Sequence, residues 1–321
     1  ISAGDVPLGT QGNLFGITGG EGTGKSNYVA AIVAGCICPA GADIDTLGIQ
    51  ITANGRHKAV LLYDTEQSEV QLFKNVSNLL ARAKQPDKPD ELKAFCLTGM
   101  SRKERLNAIV QSMDKFYYQY GGIQLVVIDG IADLVKSAND EAESVAVIDE
   151  LYRLAGIYNT CILCVLHFVP NGLKLRGHLG SELQRKAATI LSIEKDEEPT
   201  QSVVKALKVR DGSPLDVPLM LFAWDKEAGM HVYKGEKPRE EKEKRKEREL
   251  VNVARDIFGR QTRITYIDLC EQLQQVLDIK ERTAKSYIRF MRERDIITKD
   301  TANQSCFVIG SYHLQRNASC P

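Results

Sequence analysis

The sequence predicts an α/β domain built on a parallel sheet, followed by a small domain of helices with two paired strands. Three observations carry this prediction. Short apolar runs alternate with helical stretches from Leu14 to about Tyr233, which is typical of a parallel sheet with helices packed on it. A glycine-rich loop separates the first apolar run from the first helix. After residue 235 the chain becomes almost entirely charged, and further helical patterns follow.

The elements of the larger domain follow in chain order. Helical periodicity predicts helices at about residues 28–34, 68–84, 102–120 and 145–158. Gly121 and Gly122 come directly after the third helix and predict its end. The last three predicted strands extend the sheet, with antiparallel pairing among them left open. Apolar runs predict strands at residues 14–18, 59–63, 95–97, 125–128, 160–166, 189–193, 203–209 and 220–224.

The glycine-rich loop matches the pattern G-x-x-x-x-G-K-[ST] at every fixed position. Its glycines let backbone N–H groups turn toward a phosphate, its lysine reaches the β- and γ-phosphates, and its serine hydroxyl binds magnesium. The following helix adds a favourable dipole for an anion. A chance match in a glycine-rich turn would not require a strand before it and a helix after it. We therefore predict binding of ATP and Mg²⁺ by Gly19, Gly20, Glu21, Gly22, Thr23, Gly24, Lys25, Ser26 and Asn27.

Composition excludes several classes of protein. A chain of 321 residues suggests about two domains. It has 42 Lys and Arg residues against 42 Asp and Glu residues, so any affinity for nucleic acid must come from local patches. No apolar run approaches the roughly 18 residues that cross a bilayer, and no signal-peptide pattern occurs; we expect a cytoplasmic protein without membrane contact.

The eight cysteines lack paired zinc-ligand spacing and are expected to be buried thiols. Because the chain opens at Ile1, we expect a fragment of a longer polypeptide.

A phosphate-binding loop of this kind works with a second magnesium-associated carboxylate, usually an Asp at the end of an apolar strand. Asp129 follows the apolar run 125–128, about a hundred residues after the loop. The alternative is that Asp129 only caps a turn, a role that this residue type often has. Its order after the loop favours the first reading, so we expect Asp129 and Ser26 to bind the metal.

The segment Tyr63-Asp64-Thr65-Glu66, which closes the strand after the loop helix, resembles the RecA and replicative-helicase family. The resemblance implies a RecA-like P-loop NTPase core over about residues 10–233, in which Glu66 polarises the attacking water. Asp129 is followed by Gly130 rather than by a glutamate, which makes Glu66 the better candidate base. The alternative is an exposed glutamate that caps a helix. Within the family, the chain looks nearest to RepA- and DnaB-like hexameric helicases of bacterial plasmids and mobile elements.

The same resemblance implies three further roles. His167, at a strand end, would contact the γ-phosphate as a sensor, unless it is only structural. The basic loop at 169–178 would bind single-stranded DNA through phosphate contacts, unless it is an ordinary surface loop. A basic pair on one side of a strand would reach the γ-phosphate of the neighbouring subunit and so require a homo-oligomer, possibly a hexamer in the family's manner, unless it belongs to a half-exposed edge strand. The residues concerned in the loop and the pair are Lys174, Arg176, His178, Lys208 and Arg210.

The domain boundaries predicted from composition are 1–235 for the RecA-like ATPase domain, 236–249 for a charged linker and 250–321 for a winged helix-turn-helix domain. Helical patterns at 250–258, from 265 and at 280–291, followed by two short apolar runs, have the order of a winged helix. Between residues 280 and 294 the basic side chains outnumber the acidic ones. Lys285, Arg289 and Arg292 are therefore candidate contacts to duplex DNA, although such domains also dock proteins.

These observations predict an ATP-dependent DNA motor, a ring-forming replicative helicase of a plasmid or mobile element that hydrolyses ATP between subunits. Two alternatives remain open. One is an ATP-gated DNA-binding regulator or loader that does not unwind DNA, because a loader and a helicase use the same nucleotide chemistry. The other is a RecA-fold signalling ATPase whose C-terminal region binds protein.

Overall fold

The computed structural model describes residues 1–167, 177–238, 242–259, 261–301 and 303–310. The chain divides into two compact units, Ile1–Pro238 and Arg239–Pro321. Among the residues that the structure describes, none of the helices combines the length and the apolar character that crossing a bilayer requires.

The first unit alternates strands with helices. Its strands are β1 (Ser2–Ala3), β2 (Val6–Pro7), β3 (Leu14–Gly19), β4 (Ala59–Asp64), β5 (Leu92–Cys96), β6 (Ile123–Asp129), β7 (Cys161–His167), β8 (Thr189–Lys195), β9 (Gln201–Val209), β10 (Leu219–Asp225) and β11 (Met230–Lys237). Its helices are α1 (Lys25–Ile37), α2 (Glu69–Arg82), α3 (Arg102–Tyr120), α4 (Glu141–Ile157) and α5 (Gly177–Lys186), with a 3-10 turn at Ile131–Leu134.

One large mixed sheet organises this unit. Across residues 1–167 and 177–238 its strand order is β11-β10-β9-β8-β3-β7-β6-β4-β5, while β1 and β2 pair separately. The strands from β8 to β5 in that order are parallel, whereas β9, β10 and β11 continue the sheet in antiparallel fashion. The carboxyl ends of the parallel strands therefore share one edge, where ligands bind in open α/β sheets.

Both faces of the central parallel strands are buried. Along β4, Val60 and Leu62 belong to a core with α1 and α2, whereas Leu61 and Tyr63 belong to a core with α3 and α4. Alternation of this kind follows from the two-residue period of a strand, and a strand covered on both faces is apolar throughout. This explains why β4, β6 and β7 appear in the sequence as continuous apolar runs.

Helix ends follow from local chemistry. Ser68 caps α2 by accepting a hydrogen bond from the backbone of Gln71, and Ser101 with Glu104 forms a capping box at α3. The predicted stop at Gly121 is confirmed, because this residue ends α3 in a left-handed conformation with φ 63°.

Each predicted strand and helix of the first unit is present within a few residues of its expected ends; β1, β2, β11, α5 and the 3-10 turn are additions. The strand β11 completes a hairpin with β10. The helix α5 includes the last two residues of the segment 169–178, so the expectation of a loop there is wrong for Gly177 and His178. Residues 168–176 lie outside the described part of the chain.

The second unit contains helices and a small antiparallel sheet of order β12-β14-β13. Its core includes Leu250, Leu269, Ile288 and Phe307. The first helix, α6, covers most of the segment predicted as a linker. The elements are α6 (Lys242–Phe258), β12 (Ile264–Thr265), α7 (Tyr266–Leu277), α8 (Glu281–Glu293), β13 (Ile297–Lys299) and β14 (Cys306–Ile309).

Candidate active site

The strand order brings Glu66, Asp129 and His167 to one edge of the sheet. In the pairing of neighbouring strands, Gly19 lies opposite His167, and Asp64 lies opposite Asp129. Glu66 follows Asp64 by two residues. Parallel pairing thus gathers side chains that are far apart in sequence at the carboxyl ends of β3, β7, β6 and β4, beside the glycine-rich loop.

The glycine-rich loop depends on its glycines. Gly24, which precedes α1, has φ 94°, in the left-handed region where a side chain is strained. A Cβ atom at Gly19 would lie 2.3 Å from the carbonyl oxygen of Ile193. The backbone can therefore curl closely around the start of α1, with the exposed Ser26 and the half-buried Asn27 in the first turn of the helix.

Lys25 lies at the centre of this loop. Its Nζ donates hydrogen bonds to the carbonyl oxygens of Gly19, at 3.1 Å, and Gly20, at 2.6 Å. Burial lowers the pKa of Lys25, and the negative charges of Asp129 and Glu66 oppose that shift. A cation held in a partly dry loop would attract a phosphate strongly, because the local dielectric constant is low.

Asp129 is a strongly perturbed carboxyl group of the site. Burial, followed by the nearby charges of Asp64 and Glu66, raises the pKa of Asp129 to about 7, while Lys25 and His167 act in the opposite direction. A carboxyl group crowded by like charges is relieved when a cation binds beside it. This environment fits a divalent metal at Asp129.

The available donors also suit magnesium, which prefers oxygen ligands and keeps waters and phosphate oxygens in its shell. Ser26 and Asp129 would supply a hydroxyl and a carboxylate. Among the residues that the structure describes, there is no cluster of three or more His, Cys, Asp or Glu side chains placed to hold an ion by themselves. The protein ligands would therefore share the metal with the phosphates.

Glu66 is held in place by its neighbours. The carboxylate of Asp64 accepts hydrogen bonds from the backbone N–H groups of Glu66, at 3.0 Å, and Gln67, at 2.8 Å. Thr65 donates its hydroxyl hydrogen to the carbonyl oxygens of Asp129 and Gly130, which ties the end of β4 to the end of β6. The segment that carries Glu66 is thus fixed against the segment that carries Asp129.

Gly130 leaves room for the glutamate, and His167 contacts it. A Cβ atom at Gly130 would lie 2.7 Å from Cγ of Glu66. The Nε2 atom of His167 is 3.3 Å from Oε2 of Glu66. The arrangement can hold an anion at Lys25, a metal at Asp129 and a water beside Glu66, within one small edge of the sheet.

Comparison with known protein families gives one match. The model of the AAA domain family matches residues 4–171, which is more than half of the 321 residues. The chain belongs to the AAA domain family. The match includes the loop, Glu66, Asp129 and His167, so this AAA protein is a nucleotide-binding ATPase of the P-loop class, on a fold that fits a RecA-like core. No curated protein matches the sequence.

The basic pair of the AAA protein lies away from this site. Lys208 and Arg210 are at the end of β9 beside the start of β8, because Val209 pairs with Thr189. The Nζ atom of Lys208 donates to the carbonyl oxygens of Gln184 and Arg185, and Arg210 donates to that of Lys186. Both cations therefore bind the C-terminal end of α5, at the amino edge of the parallel strands.

The predicted nucleic-acid contacts fall into three groups. His178 is exposed in the first turn of α5, and Lys174 and Arg176 lie outside the described residues. In the second unit, Lys285 and Arg289 are exposed and form ion pairs with Glu281 and Glu293, respectively. The guanidinium of Arg292 lies over the ring of Phe307, 6.0 Å from its centroid.

Sequence reasoning assigned no role to Asp64, although it lies directly beside the predicted base. The signal was present as a carboxylate at the end of a strand, two residues before Glu66. What the sequence does not show is that Asp64 accepts hydrogen bonds from the backbone that follows it. Its pKa is raised by burial, and the two hydrogen bonds from Gln67 and Glu66 partly offset that effect.

Asp129→Asn is expected to stabilise the nucleotide-free AAA protein more at pH 8 than at pH 5. With a pKa of about 7 in the folded state against 3.8 ordinarily, Asp129 keeps a proton that the unfolded chain has released, so wild-type stability falls as the pH rises through this range. The advantage of the variant should grow by up to about 3 kcal/mol between the two pH values. Urea unfolding without nucleotide or metal measures it, and an advantage that is constant with pH would contradict the argument.

Proposed function

We propose that this AAA protein is an ATP-driven motor on DNA: a ring-forming helicase, acting in the cytoplasm, that hydrolyses ATP between neighbouring subunits. The position of the basic pair is the observation that carries the proposal. Lys25, Glu66 and Asp129 meet at the carboxyl edge of the sheet, whereas Lys208 and Arg210 are at its amino edge. A pair at the opposite edge is separated from the nucleotide of its own subunit by the length of the strands, and to act on that of another copy it would exchange the carbonyl oxygens of α5 for a phosphate.

The chemistry of the site follows from the positions of its side chains. The loop and Lys25 would hold the phosphates, while Glu66 would orient a water and take up its proton as the water oxygen attacks the γ-phosphorus. The bond from the γ-phosphorus to the bridging oxygen then breaks, which leaves ADP and phosphate. Magnesium, when bound at Ser26 and Asp129, supplies charge neutralisation at the phosphate oxygens. Lys208 and Arg210 of the next subunit would add positive charge at the γ-phosphate.

A route from the nucleotide to DNA begins at His167. This residue contacts Glu66 at the end of β7, and the chain then passes through the predicted DNA-binding segment to α5. The start of α5 is seated on the turn before α4, where the backbone N–H of Leu179 donates to the carbonyl oxygen of Ala138. A change at the γ-phosphate that moves His167 would therefore act directly on the segment with Lys174 and Arg176 and on His178.

The second unit supports contact with duplex DNA. The helix α8 carries Lys285, Arg289 and Arg292 at spacings of four and three residues, which places them on one helical face. We propose that this unit is a winged helix in which α8 lies against phosphates and β13 with β14 forms the wing. The ion pairs to Glu281 and Glu293 reduce the net charge of that face. A face with little net positive charge fits the alternatives, a loader, a regulator or a protein-docking module, better than an unpaired basic face would.

The test is steady-state ATP hydrolysis by the purified protein, with single-stranded DNA, duplex DNA or neither, at fixed moderate salt because phosphate contacts weaken with salt. Stimulation of about tenfold by single strands is expected, since a motor couples turnover to the strand in its loops. His178→Ala should reduce that stimulation, whereas Ser181→Ala, one turn along the same helix, is the matched control. Selective response to duplex DNA would support the regulator, and indifference to both would support the signalling ATPase.

A further inference from the structure

A half-exposed tryptophan lies on the strand whose Phe222 packs against the start of the nucleotide-binding helix. Trp224 is the one tryptophan of the chain, and its exposed fraction is 55%. It lies on β10 two residues after Phe222, so both rings lie on the same face of the strand. Phe222 is fully buried against the glycine-rich loop, because a Cβ atom at Gly24 would lie 2.8 Å from its ring. Trp224 continues that face toward solvent, beyond the contact between Phe222 and Gly24.

His231 holds the tryptophan in place. It is the partner of Trp224 in the β10–β11 pairing, and its ring meets those of Trp224 and Phe222 edge-on at centroid distances of 5.5 and 5.6 Å. Burial, followed by the nearby charges of Arg82 and Lys195, lowers the pKa of His231, which disfavours the charged imidazolium. Arg82 also donates a hydrogen bond to the carbonyl oxygen of His231 at 2.5 Å. The indole therefore rests on a fixed support with one part of its surface free.

The strand order places this aromatic surface on the correct side of the loop for a nucleoside. Glu66, Asp129 and His167 come from β4, β6 and β7, which all lie on one side of β3. The γ-phosphate must point toward them. The strands β8 to β11, with Trp224, lie on the other side of β3, which is the direction in which the α-phosphate, the ribose and the base extend.

We propose that Trp224, positioned by His231, is the stacking platform for the base of the bound nucleotide. The proposal rests on nucleotide binding at the glycine-rich loop and adds to it the element that distinguishes a nucleotide from a bare polyphosphate. Stacking on an aromatic side chain is worth about five- to 150-fold in affinity per base and tolerates every base, because each has a π-face. Purine nucleotides, which have the larger face, should bind more tightly than pyrimidine nucleotides.

The fluorescence of Trp224 reports directly on this contact, since it is the one tryptophan present. ADP with Mg²⁺, added to the wild-type protein, is expected to quench the emission saturably. Inorganic tripolyphosphate should compete with ADP for the loop and leave the emission unchanged. Because ADP is not hydrolysed and no DNA is added, the result does not depend on motor activity. An unchanged emission under saturating ADP, or equal quenching by tripolyphosphate, would overturn the proposal.

Equilibrium binding by calorimetry separates stacking from phosphate contacts. Trp224→Ala should weaken ADP binding about tenfold and leave tripolyphosphate binding unchanged, while Trp224→Phe should retain most of the affinity. Tyr118→Ala, which removes an aromatic ring that is 76% exposed on α3, is the matched control. Equal losses for both ligands, or no loss for ADP, would refute the platform. Failure of the proposed DNA motor would look different, with normal ADP quenching but no stimulation of turnover by DNA.

Discussion

Replacement of Lys25 by alanine is expected to abolish ATP turnover and to weaken nucleotide binding severely. The ammonium group is buried, with two backbone carbonyl oxygens as its present partners, so it can meet a phosphate without first leaving bulk water. Truncating one partner of a buried charge pair costs about 2–5 kcal/mol, which is roughly thirtyfold to several thousandfold in affinity. Calorimetry with ATP and steady-state hydrolysis measure the two effects.

Lys205→Ala is the matched control for this variant. It removes a lysine of the same sheet whose Nζ binds Glu194 at 2.6 Å instead of a carbonyl oxygen of the loop, and should leave turnover unchanged. Thermal unfolding of the Lys25→Ala protein must confirm that it is folded, because the substitution leaves the carbonyl groups of Gly19 and Gly20 without this donor. Turnover that stays at the wild-type level in folded Lys25→Ala protein would refute the assignment of the phosphate-binding loop.

The same variant tests whether the site is shared between subunits. Mixed with Arg210→Ala protein, it should regain activity, because a Lys25→Ala subunit still offers Arg210 to the intact loop of its neighbour. Arg185→Ala is the control, since it removes an arginine at the same end of α5 that pairs with Glu182. If mixtures of the two inactive proteins never exceed either one alone, hydrolysis between subunits loses its support.

Glu66→Gln is expected to leave ATP binding nearly intact and to slow hydrolysis by about 10²–10⁴-fold. The amide has the size of the carboxylate and can occupy the space beside Gly130, but it cannot accept a proton from water. General-base catalysis contributes an effect of that order. Single-turnover hydrolysis of radiolabelled ATP, together with a binding titration, separates the chemical step from binding.

Two substitutions sharpen the interpretation of Glu66→Gln. Glu21→Gln changes an exposed glutamate of the loop and should affect turnover little. Asp64→Asn weakens the acceptor that fixes the backbone of Glu66 and Gln67, so it should reduce hydrolysis less than Glu66→Gln does. A Glu66→Gln protein that loses ATP binding while remaining folded would show that Glu66 holds the nucleotide rather than activating water.

The nucleotide site was largely predictable because its signals are local. The loop residues are contiguous, and Glu66 and Asp129 each stand directly after an apolar run that must be a buried strand. The position of Asp64 opposite Asp129 was not predictable from either run, since it requires the pairing of β4 with β6. The contact between Phe222 and Gly24 likewise joins residues about two hundred positions apart, and no periodicity within one segment reveals it.

The strands at the other edge show a different limit. Apolar alternation has the same two-residue period whether a strand is parallel or antiparallel, so it could not reveal that β8 is parallel to β3 while β9 is antiparallel to β8. The helix α5 was missed because it begins with Gly177 and contains Gly180, both poor helix formers. The first of these is needed, since Gly177 has φ 63° and a Cβ atom there would lie 2.3 Å from the carbonyl oxygen of Ala138.

Both ends of α5 are held by hydrogen bonds. In a ring of subunits, this would affect the order in which the subunits hydrolyse ATP. This ten-residue helix, about 15 Å long, follows in sequence the segment proposed to bind DNA, and its C-terminal end accepts hydrogen bonds from Lys208 and Arg210. A helix held at both ends in this way transmits a displacement of one end along its axis to the other end. In a ring that uses this basic pair across the subunit interface, the contact of one subunit with DNA would determine when the neighbouring subunit can hydrolyse ATP. Such subunits would hydrolyse ATP one after another around the ring, because α5 would link each subunit to the next hydrolysis event.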